Sequence, residues 1–139
     1  MVYESFKEFS ILYSKAIVEA VNIILSYDVV NLSSIILFGS CARLNIHSGS
    51  DIDLLIITKD TLEDSLIKGR IKNDLDLLSN NISADVLFTT IERFNNSDLR
   101  IYSNIKKEGV YLWKEGRGTD VYKQLLYNSK KRLPVFTKY

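Results

Sequence analysis

A chain of 139 residues, 46% apolar and 25% charged, has the make-up of one ordinary globular domain and is too short to pair a catalytic domain with a separate substrate domain. A formal net charge of +1 gives no overall attraction to nucleic acid, and no apolar run approaches the roughly 20 residues that span a bilayer. The single cysteine, Cys41, cannot form an internal disulfide, and the N-terminus lacks a secretory pattern, so the expectation is a reduced, cytoplasmic protein.

From Tyr3 to Ser26 the residues Phe6, Phe9, Tyr13, Ala16, Ile17, Ala20, Val21 and Ile24 recur at spacings of three and four, which predicts an amphipathic helix covering the core. Ser34 to Phe38 is a short apolar run stopped by Gly39, and Asp51 to Ile57 is a second. Both read as strands buried on two faces. Along the second, Asp51, Asp53, Leu55 and Ile57 share one face and Ile52, Leu54 and Ile56 the other.

Asp60-Thr61 offers N-cap residues for a helix running through Leu62, Leu66, Ile67, Ile71, Leu75 and Leu78 to Asn80-Asn81. Ile82 to Thr89 alternates as a third strand with Asp85 in its middle. A further helix starts at about Ile91 or Ser97 and reaches Lys107. Glu108-Gly109 then turns into the apolar run Val110 to Trp113. Gly116-Arg117-Gly118 reads as a linker, dividing residues 1–115 from a basic extension over 116–139 that carries Lys123, Lys130, Lys131, Arg132 and Lys138 against Asp120. That extension is expected to be helical up to about Arg132 and to serve as a solvated tail or a partner contact.

Chemistry concentrates between Phe38 and Asp53. Residues two apart on a strand lie about 6.6 Å apart and neighbouring strands about 4.8 Å apart, so Asp51, Asp53 and Asp85 converge if the third strand pairs beside the second. Two carboxylates about 5.5 Å apart repel by roughly 3 kcal/mol at an effective dielectric of about 20, so such a cluster calls for a cation. Hard divalent ions fit oxygen ligands, and Mg²⁺ binds through a few carboxylates together with substrate phosphates. Gly39 admits close approach of a ligand, Ser40 offers a hydroxyl, and Arg43 can grip a phosphate in bidentate fashion. His47 reads as a surface loop residue, Cys41 as a buried filler, Trp113 and the tyrosines as core material, and Asp74 and Asp76 as part of a solvated face.

The run Gly39-Ser40-Cys41-Ala42-Arg43, followed after a loop by Ser50-Asp51-Ile52-Asp53-Leu54, with Asp85 in a later strand and Lys107 to Leu112 beyond it, resembles the polymerase-beta-type nucleotidyltransferases. Within them it is similar to the minimal nucleotidyltransferases, the MNT antitoxins of HEPN toxins. The resemblance implies an α/β (α+β) fold with a small mixed sheet of three to four strands flanked by helices. It implies two Mg²⁺ ions, or Mn²⁺, held by Asp51, Asp53 and Asp85 as the catalytic set, and ATP held by Gly39, Ser40, Arg43 and Ser50. It further implies transfer of AMP to a tyrosine hydroxyl of a HEPN toxin encoded nearby. Two alternatives stand beside this: a non-catalytic antitoxin that acts by contact, and a small-molecule nucleotidyltransferase whose acceptor cleft forms in a homodimer. No membrane and no direct nucleic acid partner is expected.

Overall fold

The computed structural model describes residues 2–42 and 51–116. Its first element is the helix α1 (Val2–Ser26), which buries Tyr13, Ala16, Ile17, Ala20, Val21 and Ile24 and leaves Lys15 and Asn22 exposed, as their spacing requires. A turn with Asn31 in the left-handed region (φ 57°) leads into the strand β1 (Leu32–Phe38), two residues longer than the apolar run alone indicates. The single helical turn α2 (Gly39–Ala42) follows. Beyond it come β2 (Ile52–Thr58), α3 (Ser65–Asp74), a 3₁₀ turn at Ser79–Asn81, β3 (Ala84–Thr90), α4 (Ile91–Asn96), α5 (Arg100–Glu108) and β4 (Val110–Lys114).

The four strands form one mixed sheet in the order β3-β2-β1-β4. β1 is antiparallel to both β2 and β4, and β2 is parallel to β3. Both faces are covered, which is why β1 and β2 are apolar almost throughout. One face sets Ile35, Leu37, Ile52, Leu54, Ile56, Val86 and Leu112 against Ile17 and Ile24 of α1 and Ile71 of α3. The other sets Ile36, Leu55 and Ile57 against Phe94 of α4 and Tyr102 and Ile105 of α5. Each fully buried Leu or Ile contributes about 1.5–3 kcal/mol by leaving water. On the second face Tyr102 Oη donates to Thr89 Oγ1 at 2.9 Å, and its ring meets Phe94 edge-on at 5.6 Å.

Three boundaries depart from the sequence reading. The helix expected from Asp60-Thr61 starts later, because the Asp64 carboxylate accepts the Ile67 N–H at 3.1 Å and leaves Asp60 to Glu63 in a loop. It also stops at Asp74 rather than Asn80, since the Leu75 carbonyl accepts the Ala84 N–H at 2.8 Å and so starts β3. Leu75 and Leu78 are buried from this irregular stretch, while Leu66 is 62% exposed instead of packing inward. The single helix expected up to Lys107 is two. Thr90 Oγ1 accepts the Arg93 N–H to cap α4, and extended backbone at Ser97 separates it from α5. The start at Ile91 is therefore used, whereas the second helix begins at Arg100, three residues after Ser97.

Cys41 is fully buried, Trp113 packs partly buried against the core, and Asp74 and Asp76 are exposed, as expected. Asp74 also accepts the hydroxyl of Tyr27, just past α1, and Glu19 of α1 accepts the Ser79 hydroxyl, two links to the end of α3 and the turn after it. Among the described residues no helix is long and apolar enough to cross a membrane. Arg43, His47, Ser50, Arg117, Gly118 and the basic extension from Thr119 onward lie outside the described residues.

Candidate nucleotide and metal site

At the end of β1, Gly39 adopts φ +75°, a conformation that costs a side-chain-bearing residue about 1–2 kcal/mol. The space where its Cβ would sit is taken by the Asp53 carboxylate, with Oδ2 nearest and Cγ at 3.2 Å. Two constraints therefore act on one residue. The glycine lets the chain reverse, and it lets a carboxylate lie directly on the backbone of the turn. Phe38 and Asp53 are register partners across β1 and β2, which is what brings the turn and the acid together.

Asp53 and Asp85 are register partners across β2 and β3 and share the face that carries Leu55 and Leu87. Asp51 lies one residue before β2, is exposed, and accepts the Ser83 hydroxyl on Oδ1 at 3.2 Å. The fold thus brings Asp53 and Asp85 side by side and leaves Asp51 two residues before Asp53, just outside β2. Among the described residues, no three of His, Cys, Asp and Glu are grouped closely enough to hold a metal ion. The donors that are juxtaposed are all oxygens, and two carboxylates on neighbouring strands suit a hard divalent cation whose remaining ligands are phosphate and water.

Cys41 reports the field of this cluster. Its thiol is pushed up to about 12, first by burial and then by the negative charges of Asp53 and Asp51, partly offset by a hydrogen bond with Ser40. Cys41 Sγ donates to the Asp51 carbonyl at 3.6 Å, tying α2 to the start of β2. The Tyr13 hydroxyl is also raised, by burial first and then by Cys41 and Asp51.

Two cavities open here. One, of about 520 Å³, is lined by Asp53 and Asp85 together with Phe38, Leu87, Ile101, Lys72 and Asp76. The other, of about 300 Å³, is lined by Phe38, Gly39, Ile101, Ile105, Asn104 and Glu108. Phe38 and Ile101 are common to both, so the cavities meet in front of the Gly39 turn. The sequence reading missed Lys72, Asp76, Ser83, Ile101 and Asn104 as neighbours of the site. Only the packing of α3 and α5 against the sheet brings them there. Lys72 and Asp76 carried one signal, charge of both signs at a spacing of four, and it read as a solvated face.

A profile of the family described as Polymerase beta, Nucleotidyltransferase matches residues 19–117. No curated protein gives a significant match to the chain. Among solved structures, a Sulfolobus solfataricus protein assigned as a nucleotidyltransferase is 23% identical, with a TM-score of 0.55 over 82% of this chain and 91% of that one. A toxin–antitoxin complex with AMP-PNP is 18% identical, with a TM-score of 0.54 over 81% of this chain and 82% of that one. A mutant of the toxin–antitoxin MntA-HpeT is 16% identical, with a TM-score of 0.53 over 81% of this chain and 82% of that one. At these identities the structures share a fold with this chain. The family profile covers far more than half of it, the mixed four-stranded sheet sets the Gly-Ser turn against Asp53, and on those grounds the chain belongs to the Polymerase beta, Nucleotidyltransferase family.

Proposed function

We propose that the protein is a Mg²⁺-dependent nucleotidyltransferase that moves AMP from ATP to a tyrosine hydroxyl of a partner HEPN toxin and thereby acts as an antitoxin. The observation that carries this reading is the contact of Gly39 with the Asp53 carboxylate, beside Asp85 in register. A phosphate bound at the turn and an ion bound by the carboxylates would then be immediate neighbours. Asp53 and Asp85 would hold the divalent ion, with Asp51 joining them from just before the start of β2. Bound there, the ion would supply positive charge against the phosphate oxygens and against the attacking and leaving oxygens.

In this reading Gly39 and Ser40 receive the triphosphate, the glycine by presenting bare backbone and Ser40 by its hydroxyl. Arg43 and Ser50, from the same motifs, are proposed to complete the nucleotide contacts. Asp85, on the outer strand, faces the approaching hydroxyl and takes up its proton. The acceptor oxygen bonds the α-phosphorus, the bond from that phosphorus to the bridging oxygen breaks, and pyrophosphate leaves with the electron pair. The toxin–antitoxin structures among the similar folds support a protein acceptor.

Incubation with ATP labelled at the α-phosphate, Mg²⁺ and the protein encoded by the adjacent gene tests this. The expected result is label on a tyrosine of that neighbour, lowered by about 100-fold or more in Asp53→Ala. An unlabelled neighbour that is still neutralised by a triple Asp51, Asp53 and Asp85 to Ala variant would replace this reading with an antitoxin acting by contact.

A further inference from the structure

Among the described residues strand β3 is an edge strand, and its outer side lies along the larger cavity. Ser83 accepts from β2 through its carbonyl, at 3.1 Å from the Ile52 amide, whereas the Ala84 N–H points away and is bonded to the Leu75 carbonyl. The alternation of a strand then turns the N–H and C=O groups of Val86 and Phe88 outward as well. Among the described residues, the Ala84 N–H is the outward group of this edge that has a backbone partner. Natural sheets cover or charge such an edge, because an unpaired row of donors and acceptors is a template for another extended chain.

The two flanks of this edge differ in chemistry. On the α5 side, Asp85 and then Leu87 project from β3, with Leu87 42% exposed and Ile101 of α5 39% exposed beside it. On the α3 side stand two ammonium groups one helical turn apart. Lys72 lines the cavity together with the carboxylate of Asp76 just beyond α3, and Lys68 lies 5.7 Å from the centre of the Phe88 ring. Neither makes an ion pair among the described residues.

On the ground of the transfer reading above, we propose that the acceptor is an extended segment of the partner protein that adds to β3 as a fifth strand. Its backbone pairs with Val86 and Phe88. Its side chains facing α5 are a hydroxyl residue against Asp85 and, two positions away, an apolar residue against Leu87 and Ile101. Its side chains facing α3 are acidic and meet Lys68 and Lys72. The spacing follows from the strand itself, since residues two apart lie about 6.6–6.8 Å apart, the same interval that separates Asp85 from Leu87. Main-chain pairing supplies the affinity and the alternate side chains supply the selection, as in other cases of strand addition. The strand places the phenol oxygen beside Asp85, where it bonds the α-phosphorus of ATP while pyrophosphate departs and its proton passes to the carboxylate.

The test uses the full chain with Mg²⁺, labelled ATP and two synthetic peptides, Glu-Tyr-Glu-Leu-Glu and its reverse, which cover parallel and antiparallel addition. One of them is expected to be labelled on tyrosine and to slow amide exchange at Val86 and Phe88, while the lysine counterpart Lys-Tyr-Lys-Leu-Lys is labelled far less. N-methylation of the amides that face β3 should lower labelling by about tenfold, the worth of one or two lost hydrogen bonds, and methylation of the alternate amides should leave it unchanged. Equal tolerance of methylation at every position overturns strand addition while leaving the transferase reading intact. So does labelling of the partner protein without any change in exchange at Val86 and Phe88. Concentration-dependent protection of those two amides in the protein alone would assign the edge to a second copy of this chain instead. Absence of label on peptide and partner alike, with Asp53→Ala matching the wild type, sinks the transfer reading itself.

Discussion

The Asp53 carboxylate occupies the volume that a Cβ at Gly39 would need, and Gly39 itself lies at φ +75°. Alanine at this position meets both constraints at once. Gly39→Ala is expected to lose about 1–2 kcal/mol of stability from the backbone alone and to push Asp53 out of place. Urea unfolding reads the first effect and label transfer the second. Ser40→Ala, which leaves the turn intact, should keep stability within about 0.5 kcal/mol while reducing transfer.

Asp53 and Asp85 stand side by side as like charges. In the metal-free protein Asp85→Asn removes that repulsion, worth about 1 kcal/mol for a pair facing water, and should raise the melting temperature slightly. Under the proposed function the order is expected to reverse with Mg²⁺ present, since an ion held by the pair would stabilise the wild type more than the variant. Melting curves in chelator and in Mg²⁺ give the four values. A variant that melts below the wild type in chelator would show that the pair is not repulsive.

The Cys41 thiol, held well above its ordinary value of 9.0 at about 12, ties stability to alkaline pH. Its neutral form is favoured in the folded state, so the folded chain binds the proton more tightly than the unfolded chain does. The contribution is fully present below pH 9.0 and is lost as pH rises toward about 12, with a slope of at most about 1.36 kcal/mol per pH unit. Cys41→Ala should flatten the difference curve over that window. The native thiol should also react slowly with alkylating reagents near neutral pH and quickly once unfolded.

The bond from Tyr102 Oη to Thr89 Oγ1 is buried, at 2.9 Å. Tyr102→Phe is expected to cost about 0.5–1.5 kcal/mol, with a similar coupling to Thr89→Val in a double-mutant cycle. Additive effects would show that each group finds another partner when the bond is broken.

Burial separates two leucines that periodicity treats alike. Leu54→Ala, at a fully buried position under α1 and α3, should cost about 2–5 kcal/mol. Leu66→Gln, at a position 62% exposed, should change stability by no more than about 0.5 kcal/mol. Chemical denaturation of the two variants compares them directly.

Local pattern was enough for α1, for the two faces of β2 and for the alternation around Asp85, because periods of 3.6 and 2 are properties of the backbone that survive in any tertiary context. The same is true of the Gly-Ser turn and the paired acids of β2, whose spacing is covalent. The limits of α3 could not be read that way. Its end is decided by a bond from Ala84 to Leu75, across the turn that begins β3, and its exposed Leu66 by which side of the helix the sheet happens to meet. Nor could the chain alone say that β3 would lie parallel to β2, with Asp85 beside Asp53 and Asp51 bonded to Ser83 two residues before Asp85. Strand order and register arise from packing between segments distant in sequence. It is that packing which turns three separate carboxylates into an adjacent pair with a third nearby, and which sets Lys72, Leu87 and Ile101 around the cavity along β3.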